Sequence, residues 1–89
     1  MVWRVEFSAG VEKSLKRLDP QEVRRILSFL HQRVALAENP RLVGQALKGS
    51  ELGQFWKYRV GDYRVIADLQ DSKVTVLVVR IGNRREVYR

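Results

Sequence analysis

The sequence predicts an α+β domain in which two helices cover one face of an antiparallel sheet, in the order β-α-α-β-β-β. Three observations carry this: a strict alternation at the N-terminus, two apolar stripes at helical spacing between Ser8 and Glu38, and three strand-like runs from Phe55 onward separated by turn residues. The chain has 89 residues, 45% of them hydrophobic. That is enough for one core and too little for two, so residues 1–89 are read as a single domain.

In "VWRVEF", Trp3, Val5 and Phe7 share one face and Val2, Arg4 and Glu6 the other, the pattern of a strand with one buried side. Ser8 is placed to cap a short basic helix carrying Val11, Leu15 and Leu18. "DPQE" then supplies an N-cap (Asp19), a proline at the first helical position and Glu22 at the capping-box position. Val23, Ile26, Leu27, Leu30 and Val34 continue at helical spacing to about Glu38, where Asn39-Pro40 breaks the pattern. With almost no linker between them, the helices should form an antiparallel hairpin. His31 lies one position off the stripe, which suits a surface or packing role. "RLVGQALKGSELGQ" reads as a connection, with Leu42, Val43, Ala46 and Leu47 anchoring it or forming one more turn.

Three strands are expected next: Phe55 to Val60, Tyr63 to Leu69, and Lys73 to Ile81, turning at Gly61-Asp62 and at Gln70-Asp71-Ser72. Alternation puts Trp56, Tyr58, Val60, Tyr63, Val65, Ala67 and Leu69 on the packed face. In the last strand it puts Val74, Val76 and Val78 on one side and Leu77, Val79 and Ile81 on the other, so that strand should be central.

Composition narrows the chemistry. Without cysteine there is no disulfide, thiolate metal site or cysteine nucleophile, and a single histidine rules out a two-histidine acid-base pair. No cofactor or metal is called for. Neither an export signal nor a long apolar run is present, which fits a soluble, unexported, cytoplasmic protein with no membrane partner. Seventeen Lys and Arg against ten Asp and Glu give a net charge of +7, a field that draws polyanions.

The charges gather. If Gly61-Asp62 is a two-residue loop, Arg59 lies directly opposite Arg64 and Lys57 points to the same side. Like charges in such positions repel by roughly 0.2 to 1 kcal/mol per pair, which an ordinary solvated face would avoid by placing an acid there. "IGNRREVYR" follows the last strand and adds Arg84 and Tyr88, while Arg85 and Arg89 fit a solvated role. Guanidinium groups bind phosphate oxygens in pairs and a phenol ring can stack on a base, so the set suits a phosphodiester. Tyr88 could equally close the core.

These residues resemble the RelE/ParE superfamily of type II toxin-antitoxin toxins, and within it the RelE-like messenger-RNA interferases. The resemblance runs through the opening strand, the helical hairpin, "LKG" at Leu47 to Gly49, "WKYRVGDYRV" at Trp56 to Val65 and "GNRREVYR" at Gly82 to Arg89. It implies an endoribonuclease that enters the ribosomal A site and cuts messenger RNA, the 2′-hydroxyl attacking the adjacent phosphate, and so blocks translation. It further implies an acidic antitoxin as partner, and a toxin-antitoxin hetero-oligomer that meets operator DNA through the antitoxin. The family's active positions map onto Lys57, Arg59, Arg64, Arg84 and Tyr88.

By that resemblance Arg59 and Arg64 stabilise the phosphorane, Arg84 stabilises or protonates the leaving oxygen, and Tyr88 stacks and orients. Arg59 stands where the best-studied members carry lysine, and a guanidinium, always protonated, is a poor base. Crowding by cations and partial dehydration favour the neutral form of a lysine, which makes Lys57 the base candidate with Tyr88 the runner-up. Asn83 replaces a histidine common among relatives. Two other functions remain open on the residues: a ParE-like gyrase inhibitor of the same fold and a non-catalytic RNA-binding module.

Overall fold

The computed structural model describes residues 2–47 and 55–83. Strand β1 (Arg4–Phe7) leads into helices α1 (Ala9–Arg17) and α2 (Pro20–Phe29), followed by a π-helical stretch at Leu30–Val34 and a 3-10 turn at Pro40–Leu42. Strands β2 (Gln45–Ala46), β3 (Phe55–Val60), β4 (Tyr63–Gln70) and β5 (Thr75–Asn83) complete one sheet of order β1-β5-β4-β3-β2. The architecture is the expected one, with two refinements. The sheet is mixed, because β1 runs parallel to β5 while all other neighbours are antiparallel, and the connection contributes the two-residue strand β2. Tight turns fix the directions of β3, β4 and β5. The direction of β1 is set only by the long helical crossover, which a parallel pair requires and alternation does not reveal.

Both helices start where their caps dictate. The Ser8 side chain accepts from the Val11 amide at 3.2 Å, and that of Asp19 accepts from the Gln21 amide at 2.9 Å with Pro20 opening the helix. Glu22 lies 4.0 Å from Arg25 one turn on. The second stripe does not stay α-helical to Glu38. It widens at Leu30, where the Ala35 amide donates to the Leu30 carbonyl at 2.8 Å, and it unwinds after Val34. This wider turn buries Leu30, Val34 and Ala35 together and aims the Ala35 carbonyl at the Trp3 amide, 2.8 Å away, so the end of the π-helical stretch holds the chain just ahead of β1.

The core lies between the helices and the sheet, with Ile26, Leu30, Val34, Tyr58, Val65, Ala67, Val76 and Val78 closed off from water. The β4–β5 turn is a 3-10 turn ending at Val74 in the left-handed region (φ 47°), so β5 starts at Thr75 rather than Lys73. The faces of β5 also differ from simple alternation. Ile66 pairs with Arg80 and Ala67 with Val78, which leaves Val79 as the extra residue of a β-bulge. Beyond the bulge the faces exchange: Ile81 joins Val76 and Val78 in the core, and Arg80 turns outward. In the connection Val43 packs against the core, Leu42 (83% exposed) closes one more turn of 3-10 helix without being buried, and Ala46 of β2, its side chain exposed, holds the chain to the sheet by pairing with Trp56. His31 is exposed. Among the described residues no helix is long and apolar enough to cross a membrane.

Candidate functional site

The register of the β3–β4 hairpin is the one its turn demands. Val60 pairs with Tyr63 across Gly61 (φ +60°), Arg59 with Arg64, and Lys57 with Ile66. Directly opposed residues share a face, so Lys57, Arg59 and Arg64 lie together on the side of the sheet away from the helices. Arg59 is exposed, Lys57 half-buried, and Arg64 only 8% exposed, so the central guanidinium sits where water screens it least. On the β5 side Arg64 pairs with Gly82, which adds no side chain beside it.

A cleft of about 210 Å³ opens over these cations, lined by Val43, Gly44, Gln45, Lys57, Tyr58, Arg59 and Arg64. Its far wall is the segment entering β2, tied to the sheet by three contacts. The Tyr58 hydroxyl donates to the Pro40 carbonyl at 2.9 Å. The Arg41 guanidinium lies 5.9 Å from the Trp56 ring centroid. Arg41 also donates to both oxygens of Asp71, at 3.0 and 2.6 Å, and these hydrogen bonds hold the Asp71 carboxyl below the usual carboxylate range.

Gly44 is what lets this wall close. A Cβ there would fall 2.7 Å from both the Lys57 carbonyl oxygen and the Tyr58 ring, positions fixed by the strand and the core. Gly44→Ala should therefore cost about 1 to 3 kcal/mol through forced displacement of the Lys57–Tyr58 backbone and ring. Urea midpoints of the variant and its parent check this.

Of the five residues expected to act on a phosphodiester, Lys57, Arg59 and Arg64 come together at the cleft. Arg84 and Tyr88 lie outside the described residues, as do Arg85 and Arg89; Arg84 directly follows Asn83, the last residue of β5. The sequence reading missed two residues. Gly44 sits in a connection with no diagnostic spacing. Arg80 was a lone cation in an apolar strand, a sign that the alternation must break rather than bury it. Among the described residues no cluster of three or more His, Asp or Glu side chains could hold a metal.

The profile of the family described as "ParE toxin of type II toxin-antitoxin system, parDE" matches residues 5–88. The Mycobacterium tuberculosis protein Toxin RelG is 28% identical over 89 residues, covering all of this chain and 99% of the relative. Among solved structures, the Mycobacterium tuberculosis toxin-antitoxin complex RelBE2 contains a chain that superposes with a TM-score of 0.82 at 24% identity, over 97% of this chain and 95% of that one. A chain of the archaeal RelE-RelB complex from Pyrococcus horikoshii gives 0.70 at 27% identity, over 97% and 99%.

Proposed function

Because the chain belongs to the RelE/ParE superfamily, the toxins of type II toxin-antitoxin systems, we propose that this toxin is a ribosome-dependent endoribonuclease that cleaves messenger RNA in the A site. One observation carries the reading: Arg59 stands directly opposite Arg64, with Lys57 one step along the same face and a cleft over all three. An anion bound in the cleft is attracted by all three cations at once. A phosphodiester fits, since its equatorial oxygens gain charge during in-line displacement and fixed guanidinium groups stabilise that charge.

The roles follow from what each side chain can do. A base takes the proton of the 2′-hydroxyl, the 2′-oxygen bonds to phosphorus, the bond to the 5′-oxygen breaks, and that oxygen takes up a proton. The products are a 2′,3′-cyclic phosphate and a 5′-hydroxyl. Arg59 and Arg64 hold the phosphorane. Of the three cleft cations Lys57 alone is not a guanidinium, and we assign it the role of base, with Tyr88 as the alternative. Arg84 acts on the leaving oxygen and Tyr88 stacks on a base.

The parDE description of the matching family favours a second reading, a poison of DNA gyrase on the same fold. Expression without a partner, followed by pulse labelling, separates the two. Loss of protein synthesis with cut messenger RNA is expected. Arrest of DNA synthesis first, with messenger RNA intact, would leave gyrase as the target.

The partner is an acidic antitoxin, as the RelB-bound structures of similar chains suggest. Bound antitoxin covers the cationic face with carboxylates or displaces the segment carrying Arg84 and Tyr88. Its affinity should fall as salt rises, because screening weakens exposed charge pairs. Titration at several ionic strengths checks this, and a constant affinity would remove the electrostatic part.

A further inference from the structure

The bulge in β5 does more than rescue a cation from the core. Without Val79 as an extra residue, position 80 would follow Val76 and Val78 onto the helix-covered face. With it, Arg80 pairs with Ile66, which pairs in turn with Lys57, so the three form a row across the open face. The neighbouring row is Arg59, Arg64 and Gly82. Arg80 is thus the diagonal neighbour of Arg64, about 7 to 8 Å away at the Cα level, and lies two strands from Lys57, roughly 9 to 10 Å. It is exposed, and among the described residues no carboxylate forms an ion pair with it. The nearest open-face acid on β4, Asp68, accepts a hydrogen bond from Gln70 at 3.1 Å. Bulges beside functional sites commonly re-aim one side chain, and here the re-aimed side chain is an arginine next to the cleft.

We infer that Arg80 binds an RNA phosphate adjoining the scissile one, so that the substrate strand runs across the sheet from the Lys57–Arg59 side toward β5. The inference rests on the nuclease reading above and extends it with a positioning residue. Arg80 lies diagonally beyond Arg64 and farther still from Arg59, so a guanidinium extended away from that pair meets the next phosphate along the strand. Gly82 leaves the path from that phosphate toward Arg80 unobstructed by a side chain on β5.

The test pairs a protein change with a substrate change. Ribosomes are programmed with messenger RNA in which one phosphate flanking the cleavage site is replaced by a neutral methylphosphonate, on either side in turn. Parent, Arg80→Ala and Arg80→Lys are compared for half-saturating toxin concentration and for saturated single-turnover rate. Arg24→Ala, an exposed cation on α2, controls for net charge. For the parent, one of the two replacements should raise the half-saturating concentration about 5- to 50-fold, the range of one charge-assisted phosphate contact. Arg80→Ala should show that loss with the natural substrate and no further loss with the modified one. Its saturated rate should stay within a few-fold, and Arg80→Lys should recover part of the affinity. Independent, additive losses at both flanking positions would overturn the inference, as would an equal loss in Arg24→Ala. A parent that binds programmed ribosomes without cutting would instead sink the nuclease reading, while the binding data would still report whether Arg80 couples to a phosphate.

Discussion

If Arg84 acts on the leaving oxygen as proposed, Arg84→Ala should lower single-turnover cleavage on programmed ribosomes by roughly 10² to 10⁴-fold, the scale for losing an acid or a charge-stabilising group. Lys57→Ala will cost a comparable factor if the lysine is the base. Lys57 lines the cleft, and Arg84 follows the end of β5, where Gly82 pairs with Arg64. Arg85→Ala should change the rate little, since Arg85 fits a solvated role. Ribosome affinity should fall only mildly in each variant, because Lys57 and Arg84 are proposed to act on charge and protons that move only in the transition state and Arg85 fits a solvated role. The decisive quantities are the cleavage rate at saturating toxin and the affinity for the ribosome, both on variants with parental melting behaviour. Parental rates in both Arg84→Ala and Lys57→Ala would reduce the cationic face to a binding surface.

The largest effect on stability should come from Tyr58. Its ring is 1% exposed, meets Phe29 edge-on at a centroid distance of 6.2 Å, and carries the hydroxyl that holds the Pro40 carbonyl. Tyr58→Ala should cost about 3 to 5 kcal/mol, the usual loss for a buried aromatic. Against a total of about 5 to 15 kcal/mol for a small domain, that leaves a marginal fold. Tyr58→Phe should cost about 0.5 to 1.5 kcal/mol, the net worth of one hydrogen bond, because the Val43 amide still donates to the Pro40 carbonyl at 3.3 Å.

A pH dependence separates the hydroxyl from the ring. Burial pushes the Tyr58 hydroxyl from 10.0 up to about 12, partly opposed by the Arg41 guanidinium. The folded protein thus keeps a proton that the unfolded chain loses. The stabilisation is fully present below the unfolded value and is lost as pH rises through the window from 10.0 to about 12. Urea midpoints across that window should fall more steeply for the parent than for Tyr58→Phe. Equal slopes would mean that the hydroxyl contributes nothing through its proton.

The sequence by itself determined the local features. Alternation in Trp3 to Phe7, the caps at Ser8 and Asp19, and the Gly61-Asp62 turn each depend on neighbouring residues, so the strand, both helix starts and the Arg59–Arg64 opposition were legible from the chain. Three features were decided only by tertiary structure. β1 is parallel to β5 because the helical crossover, not a turn, returns the chain. The π-turn at Leu30 forms because Val34 and Ala35 must be buried together while the Ala35 carbonyl reaches Trp3. The bulge at Val79 arises because Arg80 cannot be desolvated in the core while Ile81 can, and a period-two pattern has no means of recording one inserted residue. That inserted residue puts Arg80 on the same open face of the sheet as Lys57, Arg59 and Arg64.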